Sequence, residues 1–197
     1  MDILFWSGGK DSYLALEFYD REIGKKEDLA LLTTYEEESK HVPHQELPLK
    51  NIRRQAKHLG LSLIEVPLPR ACPNETYLEK VKEALTEQQQ LVERLVFGDW
   101  HLQDIREWRE QVFGEMGYRC LFPIWEKSLH DLLPVLLLKP VQIKISAVKG
   151  EFQKYIKVGE AYDQAFVRTL PKEIDPMGEN GEFHTEVMFE DLSKRVV

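Results

Sequence analysis

The stretch that most restricts how this 197-residue chain can fold is Ser7-Gly8-Gly9-Lys10-Asp11-Ser12. Ile3-Leu4-Phe5-Trp6 precedes it as a short apolar run. The apolar residues of Tyr13-Leu14-Ala15-Leu16-Glu17-Phe18 follow at helical spacing, so the hexapeptide reads as a strand-to-helix turn. Turns of this kind bind phosphate. The glycines let backbone come close to a ligand, the amides at the helix start point outward, and two hydroxyls and an ammonium add donors. A carboxylate at Asp11 would repel a polyphosphate unless a divalent cation lay between them, so the same turn calls for Mg²⁺ beside the nucleotide.

The rest of the chain continues the alternation. A strand is predicted at Leu29 to Thr34, a polar loop from Tyr35 to His44, a helix from Leu49 to Leu59 ending at Gly60, and a strand from Leu61 to Val66 stopped by Pro67 and Pro69. A helix over Glu75 to Gln90 with Asn74 as N-cap comes next, then a strand within Leu91 to Phe97. A long helical pattern runs from Asp99 to Met116 with Gly117 as its cap, and a short strand follows at Arg119 to Phe122. Repeated strand and helix predict an α/β fold: a parallel twisted sheet with helices on both faces and ligand beyond the carboxyl ends of the strands. Ser128 opens a short helix, Gln142 to Val148 reads as a strand, a helix lies around Ala161 to Thr169, and Phe183 to Phe189 is a final strand. A soft boundary near Pro123 divides a nucleotide-binding core (1–123) from a small C-terminal α+β region (124–197) expected to pack on it and close over the site.

Composition narrows the partners. With 43% hydrophobic residues the chain can bury a full core. A formal charge of -8 disfavours a broad nucleic-acid surface, which needs clustered Lys and Arg. Cys72 and Cys120 lie far apart with no Cys-x-x-Cys pair, which suits idle thiols in a reducing compartment. Charged Lys10 and Asp11 arrive before any apolar stretch of useful length, and Leu132 to Leu138 is too short to span a bilayer, so neither a signal peptide nor a membrane partner is expected and the protein is placed in the cytoplasm. Oligomeric state is left open, a homo-oligomer included.

A second dense segment is Asp175-Pro176-Met177-Gly178-Glu179-Asn180-Gly181-Glu182-Phe183-His184-Thr185. Its glycines, acids, Asn and His are poor core material. A glycine turn feeding the last strand accounts for it as well as a binding site does. Asp104, Arg106 and Arg109 share one helix, where exposed ion pairs explain them. His41 and His44, three apart without a third ligand, read as loop residues and not as a zinc site.

The first turn fits neither a Walker A loop, which needs Gly-x-x-x-x-Gly-Lys-Ser/Thr, nor a Gly-x-Gly-x-x-Gly fingerprint. It resembles the PP-loop, Ser-Gly-Gly-x-Asp-Ser, of the N-type ATP pyrophosphatases, a superfamily with an adenine nucleotide alpha hydrolase-like (HUP) fold. Together with Leu31-Leu32-Thr33-Thr34, Phe97-Gly98-Asp99, the helix Asp104 to Glu110 and Gly178 to Thr185, it resembles the diphthine–ammonia ligase family, in the form Gly-Glu-Asn-Gly-Glu-Phe-His-Thr typical of its bacterial branch.

The resemblance implies ATP and Mg²⁺ as cofactors and cleavage of ATP to AMP and pyrophosphate. Ammonia would be transferred to a small-molecule or protein carboxylate. It implies that Ser7, Gly8, Gly9, Lys10, Asp11 and Ser12 hold the phosphates, with Asp11 as metal ligand. Thr33 and Thr34 would read adenine, and Gly98 and Asp99 would border ribose or the α phosphate. Gly178, Glu179, Asn180, Glu182 and His184 become substrate-binding candidates, with Lys10, Asp11, Glu182 and His184 as the catalytic set. A strand period of two would put Glu182 and His184 on one face. A PP-loop enzyme using another nucleophile, or a nucleotide-binding module without catalysis, fits the same motifs.

Overall fold

The computed structural model describes residues 1–138 and 141–189. β1 (Asp2–Phe5) leads through the glycine turn into α1 (Lys10–Glu22). β2 (Leu29–Glu36) is followed by a small antiparallel ribbon, β3 (His41–Val42) and β4 (Leu47–Pro48), and by α2 (Leu49–Leu59). Then come β5 (Leu63–Leu68), α3 (Asn74–Thr86), β6 (Arg94–Val96), α4 (Gln103–Glu115) and β7 (Arg119–Leu121). The C-terminal part holds α5 (Leu129–Leu137), β8 (Val141–Val148), α6 (Gln164–Thr169) and β9 (Phe183–Phe189).

The expected α/β sheet is present. β5, β2, β1, β6 and β7 lie side by side and parallel, and the β3–β4 ribbon extends antiparallel from the far end of β2. β8 and β9 pair separately as an antiparallel hairpin whose register shifts between Ile145 and Ala147. Strand order reverses at β1. From β1 the chain builds outward through β2 to β5, then returns to place β6 on the other side, and a crevice opens at such a switch point beyond the strand ends.

Continuous apolar runs make the strands because both sheet faces are covered. Leu4, Trp6 and Leu31 pack with Leu14 of α1, Ile52 of α2 and, from the C-terminal part, Leu132, Ile143 and Val187. Ile3, Ala30, Leu32 and Leu95 pack oppositely against Val81 and Leu85 of α3 and Phe113 of α4. The alternation along β2 sends neighbours to opposite layers. β9 contacts both α1 and α2, so the C-terminal hairpin lies against the helices that border the glycine turn.

Several boundaries differ from expectation. The segment expected as a polar loop starts inside β2 and contains β3, because Glu36 pairs with His41 across a turn. Pro67 sits within β5 opposite Tyr35, tolerated because β5 is the sheet edge and has no second neighbour needing that N–H. Asn74 is the first residue of α3 and makes no capping bond; Pro73 holds the cap position, which needs no N–H. α3 stops at Thr86 and β6 covers only Arg94 to Val96. α4 begins at Gln103, after Asp99 and Trp100 have been drawn into other contacts. Residues 139–140 and the end of the expected C-terminal region beyond 189 lie outside the described residues.

Candidate functional site

The glycine turn is shaped by contacts that no other residue would permit. Gly8 has φ +82, and a Cβ there would stand 2.5 Å from Ile52 Cδ1 and 2.8 Å from Gln55 Oε1. Gly9 is the N-cap of α1 without a side chain to offer, and Thr185 supplies what it lacks: the Lys10 amide donates to Thr185 Oγ1 at 3.0 Å. The first-turn amides of a helix have no intrahelical partner. Those of Asp11 and Ser12 make no hydrogen bond to the other described residues, which leaves two donors at the positive end of a 13-residue helix. Ser12 Oγ donates to Gly9 O at 2.9 Å and so braces the turn. The Lys10 ammonium is folded back onto Asp11 Oδ1 at 2.6 Å, with the Lys10 side chain almost fully buried.

Gln55, which carries no motif in the sequence, anchors the turn from beneath. Its Oε1 accepts from Trp6 Nε1 at 2.8 Å, and its Nε2 donates to Gly8 O at 3.1 Å and to Val187 O at 2.7 Å. The Val187 amide donates to Gly8 O as well, at 2.9 Å. Strand β9 is thereby stitched to the turn, 175 residues away in sequence at the Lys10–Thr185 bond. Asn51 Nδ2 adds a bond to Glu186 Oε1 at 2.7 Å, tying α2 to the same strand.

Within the second signature, the two expected acids part company. Glu182 is 2% exposed, and its carboxylate accepts from the Asp175 amide (3.1 Å), the Asn180 amide (2.9 Å) and Asn180 Nδ2 (3.1 Å). Burial pushes its pKa up, but the Asn180 side chain and those backbone donors outweigh it and hold the carboxyl below the ordinary value. Glu182 lies outside the cavity lining and organises the turn; Asn180 serves it. Glu179 behaves oppositely. It lines the cavity, and burial, together with the charge of Asp11, pushes its carboxyl up to about 8, opposed by Lys10. A cation arriving beside it would offset the Asp11 charge and favour the carboxylate.

One pH consequence follows for Glu182. Because its folded pKa is depressed, the stability it contributes is complete above the ordinary glutamate value near 4.5 and is lost as pH falls below that toward the folded value. Thermal midpoints recorded down this range should fall more steeply in the natural protein than in Glu182→Gln, which keeps an acceptor but has no proton to gain. Parallel curves for the two proteins would show that the carboxylate does not hold the turn.

These elements border a cavity of about 1190 Å³ at the carboxyl ends of the parallel strands. Ser7, Lys10, Asp11, Ser12, Thr33, Thr34, Gly98, Asp99, Gly178, Glu179 and His184 all line it; Gly8, Gly9, Asn180 and Glu182 do not. Thr33 is 1% exposed, and its Oγ1 has no partner among the described residues. A buried hydroxyl without a protein partner on a cavity wall leaves a hydrogen bond to be made with whatever fills the cavity, water included. The glycine at 98 has a structural cause: a Cβ there would fall 2.7 Å from Asp11 O, so its absence lets the end of β6 close on the backbone of α1.

Of two further lining residues, Arg109 departs from its sequence expectation and His44 keeps the expected loop position but joins the cavity. Arg109, expected in an exposed ion pair, instead reaches Asp99 Oδ2 at 2.7 Å and lies over the Phe97 ring at 4.4 Å, forming one wall beside Trp108 and Tyr77. His44 rises at the rim of the cavity from the turn between β3 and β4, and its ring centroid is 6.0 Å from that of His184. Neither is legible from spacing: Arg109 folds back across the loop before its helix, and His44 meets a strand from the far end of the chain. Among the described residues, no three His, Cys, Asp or Glu side chains group to hold a metal by themselves. The cavity therefore offers amide and hydroxyl donors for an anion, with a carboxylate pair alongside for a cation that brings other ligands of its own.

Residues 1–120 match the family model described as "Diphthamide synthase N-terminal domain". The match covers β1 through most of β7, all of the parallel sheet but its last residue. No curated protein matches the chain. No helix among the described residues is long and apolar enough to cross a membrane.

Proposed function

The chain belongs to the diphthamide synthase N-terminal domain family, and on that premise we propose that it is an ATP-dependent, adenylate-forming amide ligase resembling diphthine–ammonia ligase. ATP would be split to AMP and pyrophosphate, and ammonia joined to a carboxylate. The observation that carries the reading is the Ser7–Ser12 turn, set at the switch point of the sheet and opening into the cavity with the Asp11 and Ser12 amides unpaired among the described residues. Those amides, the Ser7 hydroxyl and the Lys10 ammonium are donors suited to the outer phosphates. The orphan Thr33 hydroxyl and the Gly98–Asp99 wall suit the nucleoside end.

Asp11 would hold Mg²⁺, with Glu179 available as a second oxygen ligand or as the seat of an ammonium ion. Burial first and the Asp11 charge second raise the Glu179 carboxyl, and the second of these is what a cation there would offset. When bound, Mg²⁺ would neutralise charge growing on the departing pyrophosphate. In the reaction, a substrate carboxylate oxygen attacks the α phosphorus and the bond to the bridging oxygen breaks. Ammonia then adds to the acyl carbon, AMP leaves with its bonding pair, and the proton shed by nitrogen passes to a base. Glu179, held as the carboxylate when an ammonium ion is seated against it, is the candidate for that proton. Donors fixed before the reaction stabilise the leaving charge without reorganisation, and the stitching of the turn by Thr185 and Gln55 supports that role.

The test is product analysis. Incubation with ATP, Mg²⁺, ammonium and a panel of carboxylates should yield AMP and pyrophosphate, with Asp11→Asn lowering turnover on the order of 100-fold. Release of ADP and phosphate, or ATP binding that survives Asp11→Asn with no turnover in either protein, would overturn the ligase reading.

A further inference from the structure

Resting on the nucleotide reading, we infer that His44 and His184 form a two-imidazole clamp that grips the outer phosphates beside the Gly9 end of the turn. Two segments press on Gly9 from outside the core: a Cβ there would lie 3.1 Å from Thr185 O and 3.6 Å from Gln45 Cγ. The residue preceding each contact is a histidine. His184 precedes Thr185 on β9, His44 precedes Gln45 in the β3–β4 turn, and their rings stand 6.0 Å apart at 44° on the cavity wall. Neither imidazole has a hydrogen-bond partner among the described residues. Each therefore has a ring N–H to give.

Direction follows from what flanks the turn. Gly98 meets the turn at Asp11, where an added methyl would stand 2.7 Å from Asp11 O, whereas Thr185 and Gln45 meet it at Gly9, so the Gly98 wall and the histidine-bearing segments approach different residues of the turn. A phosphate chain lying across the α1 amides would present its outer members to the two rings. Burial, His44 and Lys10 all disfavour a proton on His184; Asp11 and Glu46 favour one, but they are outweighed and the ring stays neutral. A neutral imidazole still donates. His44 is held at φ 65, in the left-handed region that the β3–β4 turn also imposes on Glu46 at φ 52.

Calorimetric titration of the whole protein with Mg·ATP, Mg·pyrophosphate and AMP tests the clamp. His44→Asn is the first variant, because Asn tolerates the left-handed backbone, and His184→Asn on β9 gives an independent arm. Each should weaken Mg·ATP and Mg·pyrophosphate about tenfold and AMP by less than about twofold, at unchanged thermal midpoint. Equal weakening of AMP, or no weakening of pyrophosphate in either variant, overturns the clamp. Histidine-dependent pyrophosphate binding without ATP binding would uphold the clamp while sinking the nucleotide reading. ATP binding indifferent to both histidines would do the reverse, and binding of none of the three probes would overturn both.

Discussion

Gly98→Ala is expected to abolish nucleotide binding and to lower folding stability by about 2–3 kcal/mol, the upper part of the range for overpacking. The added methyl would sit 2.7 Å from Asp11 O, 2.8 Å from Asp11 C and 3.0 Å from Ser12 N. All three are backbone atoms, so no side chain can swing aside. The loop after β6 cannot retreat easily either, because Phe97 is 1% exposed and Asp99 is held by Arg109 at 2.7 Å. The start of α1 must give way, and with it the free amides of Asp11 and Ser12. Chemical denaturation and ATP titration measure the two effects. Gly114→Ala is the control: Gly114 lies inside α4 with nothing within 4 Å of its missing Cβ, so the change should stabilise by about 0.5–1 kcal/mol and leave ATP binding alone. Normal ATP binding by the Gly98→Ala protein would mean that the approach of β6 to α1 does not set the position of the turn.

Local pattern carries much of the fold. Helix α2 spans Leu49 to Leu59 and Gly60 caps it at φ 71; β9 spans Phe183 to Phe189, both as periodicity predicts. The turn between β1 and α1 is legible for the same reason, since its chemistry is contained in six adjacent residues. Parity fails at Glu182. A period of two pairs it with His184, but Glu182 precedes the strand, after Gly181 at φ 77, so strand alternation does not reach it. Three donors then draw its carboxylate inward, and Glu179 is the acid left facing the cavity. Arg109 takes its place from the loop after β6 and His44 from β9, and no spacing rule reports either contact.

Gln55 does leave a trace in the sequence, though no motif contains it. In α2 the buried stripe runs Leu49, Ile52, Gln55 and Ala56, and an amide on the apolar face of a short helix must have partners waiting. Here those partners belong to the site, Gly8 O in the turn and Val187 O in β9.

Gln55→Leu is therefore expected to cost about 2–4 kcal/mol, since it strands the buried Trp6 indole N–H and Val187 O while Gly8 O keeps only the Val187 amide. Amide exchange at Gly8 and Gly9 should accelerate with it. Gln55→Glu separates the hydrogen bonds from mere packing. The carboxylate still accepts from Trp6, but it turns an oxygen toward two carbonyl oxygens that had received N–H bonds. Burial and those carbonyls favour the protonated acid, so its folded pKa lies above the ordinary carboxyl range and stability falls as pH rises between the two values. The glutamate variant should thus be closer to the natural protein at pH 5 than at pH 7, whereas the leucine variant should show the same deficit at both. Denaturation midpoints at the two pH values decide it. A deficit independent of pH in both variants would assign Gln55 to filling space alone, and the link from β9 to the turn would then rest on the Thr185 and Val187 bonds without it.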